Sequence, residues 1–173
     1  MEKMKPYLES ALKREVNNAI VVDTSKVFTE PWVRMRCQFG CFMYGKSLCC
    51  PPRTPAYDQT RKILDSFNYG ILLHRHIPKG YKFINDFNEI IIDLERTIFL
   101  DGYYKAWSIG SGPCTRCKEC NITGTCLHSD KARPSMESCG IDVFRTAKEN
   151  KLPIKVVKDH SQDRDIYGLI LVE

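Results

Sequence analysis

The spacing of apolar and polar positions changes period several times along the chain, and each change marks an element. Leu8, Leu12 and Val16 recur at helical spacing behind Pro6, which suits a first turn, so residues 6–17 predict a helix. Ala19-Ile20-Val21-Val22 is a short apolar run between Asn17-Asn18 and Asp23 and reads as a strand. Thr54 resembles an N-cap, with Pro55 at the first helical position and Thr60, Ile63, Leu64 and Phe67 as an inward face. Tyr69 to Ile77 is a second strand, closed by the turn Pro78-Lys79-Gly80. The longest stripe is Phe83, Phe87, Ile90, Ile91, Leu94 and Ile98, predicting a helix over about 82–99 that Asp101-Gly102 ends. Tyr103 to Ile109 reads as a third strand and residues 137–150 as a helix. Ile154 to Val157 and Tyr167 to Val172 read as two further strands around a polar turn.

Strands and helices interleave without a linker, repeat or low-complexity tract. The economical architecture is α/β, with α+β as its variant: a single mixed β-sheet covered by helices. Residues 1–173 then form one metal-binding domain, with cysteine-rich loops at about 31–54 and 110–140 gathered at one end. A chain of 173 residues can bury a core without cross-links. Its cysteines are therefore not compensating for a missing one.

Those cysteines are the chemistry of the sequence. There are nine, an odd number that excludes complete intrachain pairing. The N-terminus lacks an apolar signal core, and no run approaches the length that crosses a bilayer. This predicts a cytoplasmic protein with no membrane partner, in a compartment where clustered thiols serve as metal ligands more often than as disulfides. The formal charge of +5 is weak evidence for nucleic acid. A four-thiolate cube adds roughly −2 when oxidised, so two would bring the total to about +1.

Cys114, Cys117, Cys120 and Cys126 form the tighter group, framed by Gly112-Pro113 and Gly124. Two-residue gaps let a curling backbone send successive sulfurs to different irons of a compact [4Fe-4S] cluster, while turn N–H groups face the sulfides. Zinc, the alternative, more often takes its thiolates as two separated pairs. His128 is a further candidate ligand, or a plain surface histidine. The other group is Cys37 and Cys41, which a local helix would place one turn apart, followed by Cys49-Cys50-Pro51-Pro52. Adjacent Cys49 and Cys50 do not both suit one small cluster, and the prolines favour Cys50. Cys37, Cys41 and Cys50 then need a fourth ligand, with Cys139 the candidate. Its position at the start of a predicted helix would lower its pKa, and Arg133 would add to that effect. The alternative reading of this group is buried structural thiols.

Smaller expectations attach to other residues. His74 and His76 would share one strand face, as a metal pair or as solvent-facing side chains. Arg133-Pro134-Ser135 would bind an anion or a cluster sulfide, or start a helix. Tyr44-Gly45-Lys46 would present a phenol and an ammonium near the first group, or simply turn at the surface.

Three blocks carry a resemblance: Cys37 and Cys41 with Tyr44-Gly45-Lys46 and Cys50-Pro51-Pro52; Gly112-Pro113-Cys114 with Cys117 and Cys120; and the run from Ala132 to Phe144 that includes Cys139. Together they resemble the DUF2284 family of predicted metal-binding proteins, from about residue 30 onward. The resemblance implies metal binding in an anaerobic setting, makes Cys50 the motif cysteine and supports Cys139 as a ligand. The functional expectation is one or two [4Fe-4S] clusters in electron transfer to a redox protein partner. The alternatives are an enzyme with an open iron, which three protein ligands would leave, and a zinc-stabilised interaction domain.

Overall fold

The structure is a computed structural model that describes residues 2–79, 85–159 and 161–173. Among these the chain forms four strands, β1 (Asn18–Asp23), β2 (Tyr69–Ile77), β3 (Trp107–Ile109) and β4 (Arg164–Leu171). Five helices accompany them: α1 (Lys5–Leu12), α2 (Pro31–Gly40), α3 (Tyr57–Leu64), α4 (Asn85–Leu100) and α5 (Val143–Glu149). The strands make one sheet in the order β1-β2-β4-β3. The α/β reading holds. Every ladder is antiparallel, and the parallel component expected of a mixed sheet is confined to the bridge between Gly110 and Ser135.

Two-residue alternation divides the sheet into two buried faces. Ile71, Leu73 and Ile77 of β2, with Ile166 and Ile170 of β4, pack against Met4 and Ala11 from the first segment and Phe87, Ile91, Leu94 and Ile98 of α4. Leu72, Tyr167, Leu169 and Leu171 pack on the other side against Leu64 of α3, Val143 and Ala147 of α5, and Met136, Cys139 and Ile141. Helices on both faces explain why β2 and β4 read as nearly continuous apolar runs. Helix α4 lies so close to β4 that a Cβ at Gly168 would collide with Ile91 Cδ1.

Several boundaries differ from the sequence reading. The first helix stops at Leu12, and Glu15 takes φ +61° as the chain turns toward β1. Residues 31–40 are helical rather than irregular, since Pro31 occupies the first turn where its missing N–H costs nothing. The helix read from Thr54 begins at Tyr57. Gln59 Oε1 accepts the Ala56 N–H at 3.1 Å, and Thr54 is buried in other bonds. The third strand contracts to three residues, and residues 137–150 split into a 3-10 turn at Glu137–Cys139 and α5. No strand forms at 154–157, and the sheet keeps four strands. Val156 is 80% exposed there, and the segment is held by Tyr167 Oη donating to the Pro153 carbonyl. Phe83, and Gly80 of the expected turn, lie outside the described residues.

Candidate metal centre

Helix α2 carries Cys37 and ends one residue before Cys41, whose N–H still donates to the Cys37 carbonyl at 3.3 Å. The two thiols are thus one helical turn apart, as local helicity requires. The chain then turns at Tyr44-Gly45-Lys46, with Gly45 at φ +74° and its N–H donating to the Pro51 carbonyl at 2.8 Å. This is a surface turn, with Lys46 in solvent. A second turn follows. The Cys50 N–H donates to the Ser47 carbonyl at 3.2 Å and the Cys49 N–H to Ser47 Oγ at 3.1 Å, which fixes both cysteines in buried positions.

The second group leaves β3 at Gly110 and contains no helix or strand until the 3-10 turn at Glu137. Its backbone is tied down at the base instead. Gly110 donates to the Pro134 carbonyl at 2.7 Å and accepts from the Met136 N–H at 3.1 Å. Asn88 of α4 clamps Ser111 from both sides, accepting its N–H at 2.9 Å and donating to its carbonyl at 2.8 Å. Arg116 pairs with Glu89 of the same helix. Arg133, expected to meet an anion or a sulfide, is committed elsewhere. It makes a two-pronged ion pair with Glu95 at 2.8 and 2.5 Å and lies over the Trp107 ring at 4.3 Å. Glu95 also accepts the Ser108 N–H and hydroxyl, so one buried carboxylate joins α4, β3 and the far end of the cysteine loop. Among the four acids of α4, Glu95 is the buried one, and the reading passed over it because no spacing sets it apart from Asp93 or Glu89.

The two groups meet. The Leu48 N–H points at Cys120 Sγ across 3.4 Å, and the Cys49 thiol shares a hydrogen bond with Cys114. That bond holds the Cys114 thiol below its ordinary pKa, helped by the Arg116 N–H and the charges of Arg116 and His128. It pushes Cys49 upward, as does burial. Burial lifts Cys50 to about 11, with Cys41, Cys37 and Cys114 adding to the rise and a bond from Ser47 opposing it. Cys50 therefore senses Cys41 and Cys37 ahead of Cys114, while Cys49 senses Cys114 and Cys126 ahead of Cys50. Cys49, which the sequence reading left without a partner, lies close enough to Cys114 for the two thiols to influence each other.

Cys139 lies near Cys37 and Arg34, but its setting differs from the one expected. It closes a 3-10 turn rather than opening a helix, and is 3% exposed in the cluster that includes Met136 and Ile141. Burial raises its pKa to about 12, against smaller lowering effects from Ser138 and Arg34. The nearby cation is Arg34, not Arg133. Arg34 Nη1 gathers the Thr54 hydroxyl and the Pro55 and Ser138 carbonyls at 2.8–3.0 Å, stitching α2 to the Cys139 turn. Ser135 Oγ accepts the Ser138 N–H at 3.1 Å, which supports the helix-start reading of that serine. Gly140 follows at φ +77°, and a Cβ there would stand 2.8 Å from Tyr57 Cβ.

With this geometry in view the family can be stated. A family model described as a predicted metal-binding protein, DUF2284, matches residues 20–172. The chain belongs to that family. No curated protein matches it, and no solved structure does. Among the described residues of this DUF2284 protein, no three His, Cys, Asp or Glu side chains stand in an arrangement that would hold a metal ion. The thiols approach one another in pairs. All nine are free, the donor chemistry is that of soft metals, and an amide already faces one sulfur, so the residues fit a thiolate-bound group. The histidines make a separate network. His74 is 2% exposed, stacks on Tyr167 at 4.9 Å, and shares Asp165 Oδ1 with the exposed His76, each at 3.0 Å. His74 is thus not solvent-facing, because β4 and its aromatic cover it. No described helix is long and apolar enough to cross a membrane.

Proposed function

We propose that this DUF2284 protein is a cytoplasmic iron–sulfur protein that carries electrons to a partner redox enzyme. The observation that supports this most is the meeting of the two cysteine groups through Cys49–Cys114 and Leu48–Cys120. Cys114, Cys117 and Cys120, with Cys126 as fourth by spacing, would hold one cubane cluster. Cys37, Cys41 and Cys50 with Cys139 would hold a second. A bound cluster supplies one-electron transfer, and two adjacent ones suit relay between a donor and an acceptor.

The protein's own residues prepare for this. The Leu48 N–H stabilises negative charge on Cys120, while Arg116 and His128 favour the Cys114 thiolate. The Glu95–Arg133 pair fixes where the second loop begins and ends. Cys49 and Cys50 are themselves buried. Anaerobic purification with iron, sulfide and zinc analysis tests the reading. About four irons and four sulfides per site support it. Stoichiometric zinc without sulfide, in protein kept from oxygen, overturns it in favour of a zinc-stabilised interaction domain.

One observation favours a second reading of the N-terminal site. Cys139 is packed among apolar side chains, and its pKa of about 12 makes the thiolate costly without a metal. Were it a core thiol, that site would have three thiolates and an open iron suited to a small ligand. Perturbation of the cluster spectrum by added thiols or small anions distinguishes this from electron relay.

A further inference from the structure

Helix α2 turns a row of large apolar side chains to solvent. Trp32, Met35 and Phe39 are exposed, at spacings of three and four that put them on one helical face. Phe42 follows just past the helix end, and it and Phe39 are each 77% exposed. The opposite face is already used. Val33 is buried, Arg34 bonds to Thr54 and Ser138, and Cys37 Sγ lies 4.0 Å from the Glu137 carbonyl. The outward row belongs to neither core cluster.

Charge on this stretch has one sign. Between Glu30 and Asp58 stand Arg34, Arg36, Lys46 and Arg53, and no acid. Arg36 lies over the Trp32 ring at 5.5 Å, within the row itself. Lys46 and Arg53 stand on the turn that follows, where Arg53 donates to the Gly45 carbonyl at 2.9 Å. Glu30, at the start of the helix, is paired with Arg145. Trp, Phe, Met and Arg are the side chains enriched at protein interfaces, and acids are scarce at their centres.

We propose that the outward face of α2 is the docking surface for an acidic protein, whose apolar centre meets Trp32, Met35 and Phe39 and whose carboxylates meet Arg36, Lys46 and Arg53. A second copy of this chain would bring like charges together, which opposes association. A lipid surface would gain nothing from Cys37 on the same helix and Cys41 at its end, whereas a redox protein would be brought to both. The inference thus rests on the electron-transfer reading above, and adds the face and the chemistry of the partner. Redox encounters bury little area and are steered by charge, so binding should be weak and sensitive to salt.

The test uses the full chain, reconstituted anaerobically with iron and sulfide, and a small acidic ferredoxin of the bacterial type as the probe. Titration calorimetry gives the affinity, which should fall as salt rises and screens the charges. Phe39→Ser and Arg36→Glu should each weaken binding by about tenfold. Tyr104→Ser, equally exposed but in a groove beside Glu173, should leave it unchanged. Unchanged circular dichroism and iron content separate a docking effect from a folding one, and Met35→Ser replaces any variant that fails that check. Wild-type affinity in the α2 variants, or no ferredoxin binding at low salt, overturns the inference, while iron and sulfide analysis decides the cluster reading separately. Binding to phosphatidylglycerol vesicles instead, lost in Phe39→Ser, makes the face a membrane contact and overturns it. Concentration-dependent dimerisation lost in the same variant makes it a contact between copies and overturns it too. A chain that holds zinc and no cluster overturns the electron-transfer reading, and the same titration on the zinc form still decides the docking surface.

Discussion

Replacing Arg133 with Met removes one half of a buried ion pair. Arg133 and Glu95 side chains are only 8% and 10% exposed, and two charge-assisted bonds at 2.5 and 2.8 Å join them. Breaking such a pair from one side costs about 3–5 kcal/mol, because the remaining charge stays buried. Loss of the cation over Trp107 adds about 0.5–1 kcal/mol, since that ring is half exposed. The two bonds from Ser108 remain on Glu95 and place the expected cost near the lower bound, about 3 kcal/mol. Glu95→Leu alone should also be severe, because it orphans both the guanidinium and the buried Ser108 N–H. The double variant removes both charges together and should fall short of the summed single effects by about 2 kcal/mol or more. Equilibrium urea unfolding of metal-free, reduced protein, followed by circular dichroism, gives each value by linear extrapolation. A loss under about 1 kcal/mol for Arg133→Met, typical of exposed pairs, would refute the reasoning, as would strict additivity in the double variant.

Other outcomes follow from the site. Cys114→Ser, Cys117→Ser and Cys120→Ser should each remove metal from the C-terminal centre, seen as a fall of about four irons per chain in anaerobic analysis if a cube is held there. Cys139→Ser should lose or destabilise one cluster and spare the other. Unchanged iron and spectrum would make Cys139 structural and move the open-iron reading ahead. Gly140→Ala should destabilise the fold by about 1–3 kcal/mol in urea, since the left-handed φ and the Tyr57 approach both oppose a Cβ. Wild-type stability there would show that the turn relaxes freely.

Much of the fold was legible where periodicity and punctuation agreed. The strand Tyr69–Ile77 came out with its observed ends because an apolar run lies between a helix end and a Pro-Lys-Gly turn. The stripe of α4 was readable for the same reason. Helix α2 escaped because its cysteines and glycine suggested irregular backbone, and because it buries only Val33 while Trp32, Met35 and Phe39 face solvent. Ile154 to Val157 carries a strand-like run yet pairs with no strand of the sheet, since its Val156 stays exposed and the segment is held by Tyr167 instead, a tertiary outcome that no local pattern records. At the site, spacing pointed to both cysteine groups and to their convergence. The argument from adjacency assigned Cys50 to the first group and left Cys49 without a partner, because spacing within one group says nothing of a loop distant in sequence.

The strand order also sets a schedule for the molecule. Strand β4 lies between β2 and β3, yet it is the last strand along the chain, and β3 pairs with β4 alone. A ribosome that has delivered both cysteine groups has produced β1, β2 and β3, of which only β1 and β2 can pair. The segment bearing Cys114 to Cys126 has no strand neighbour to anchor it until residue 171 has emerged and threaded into place. Long-range pairing of this kind forms late and exposes its partners meanwhile. The thiols of the second loop must stay reduced and uncommitted through that interval. If the proposed clusters form, their loading would follow synthesis, since the second loop gains its strand anchor last.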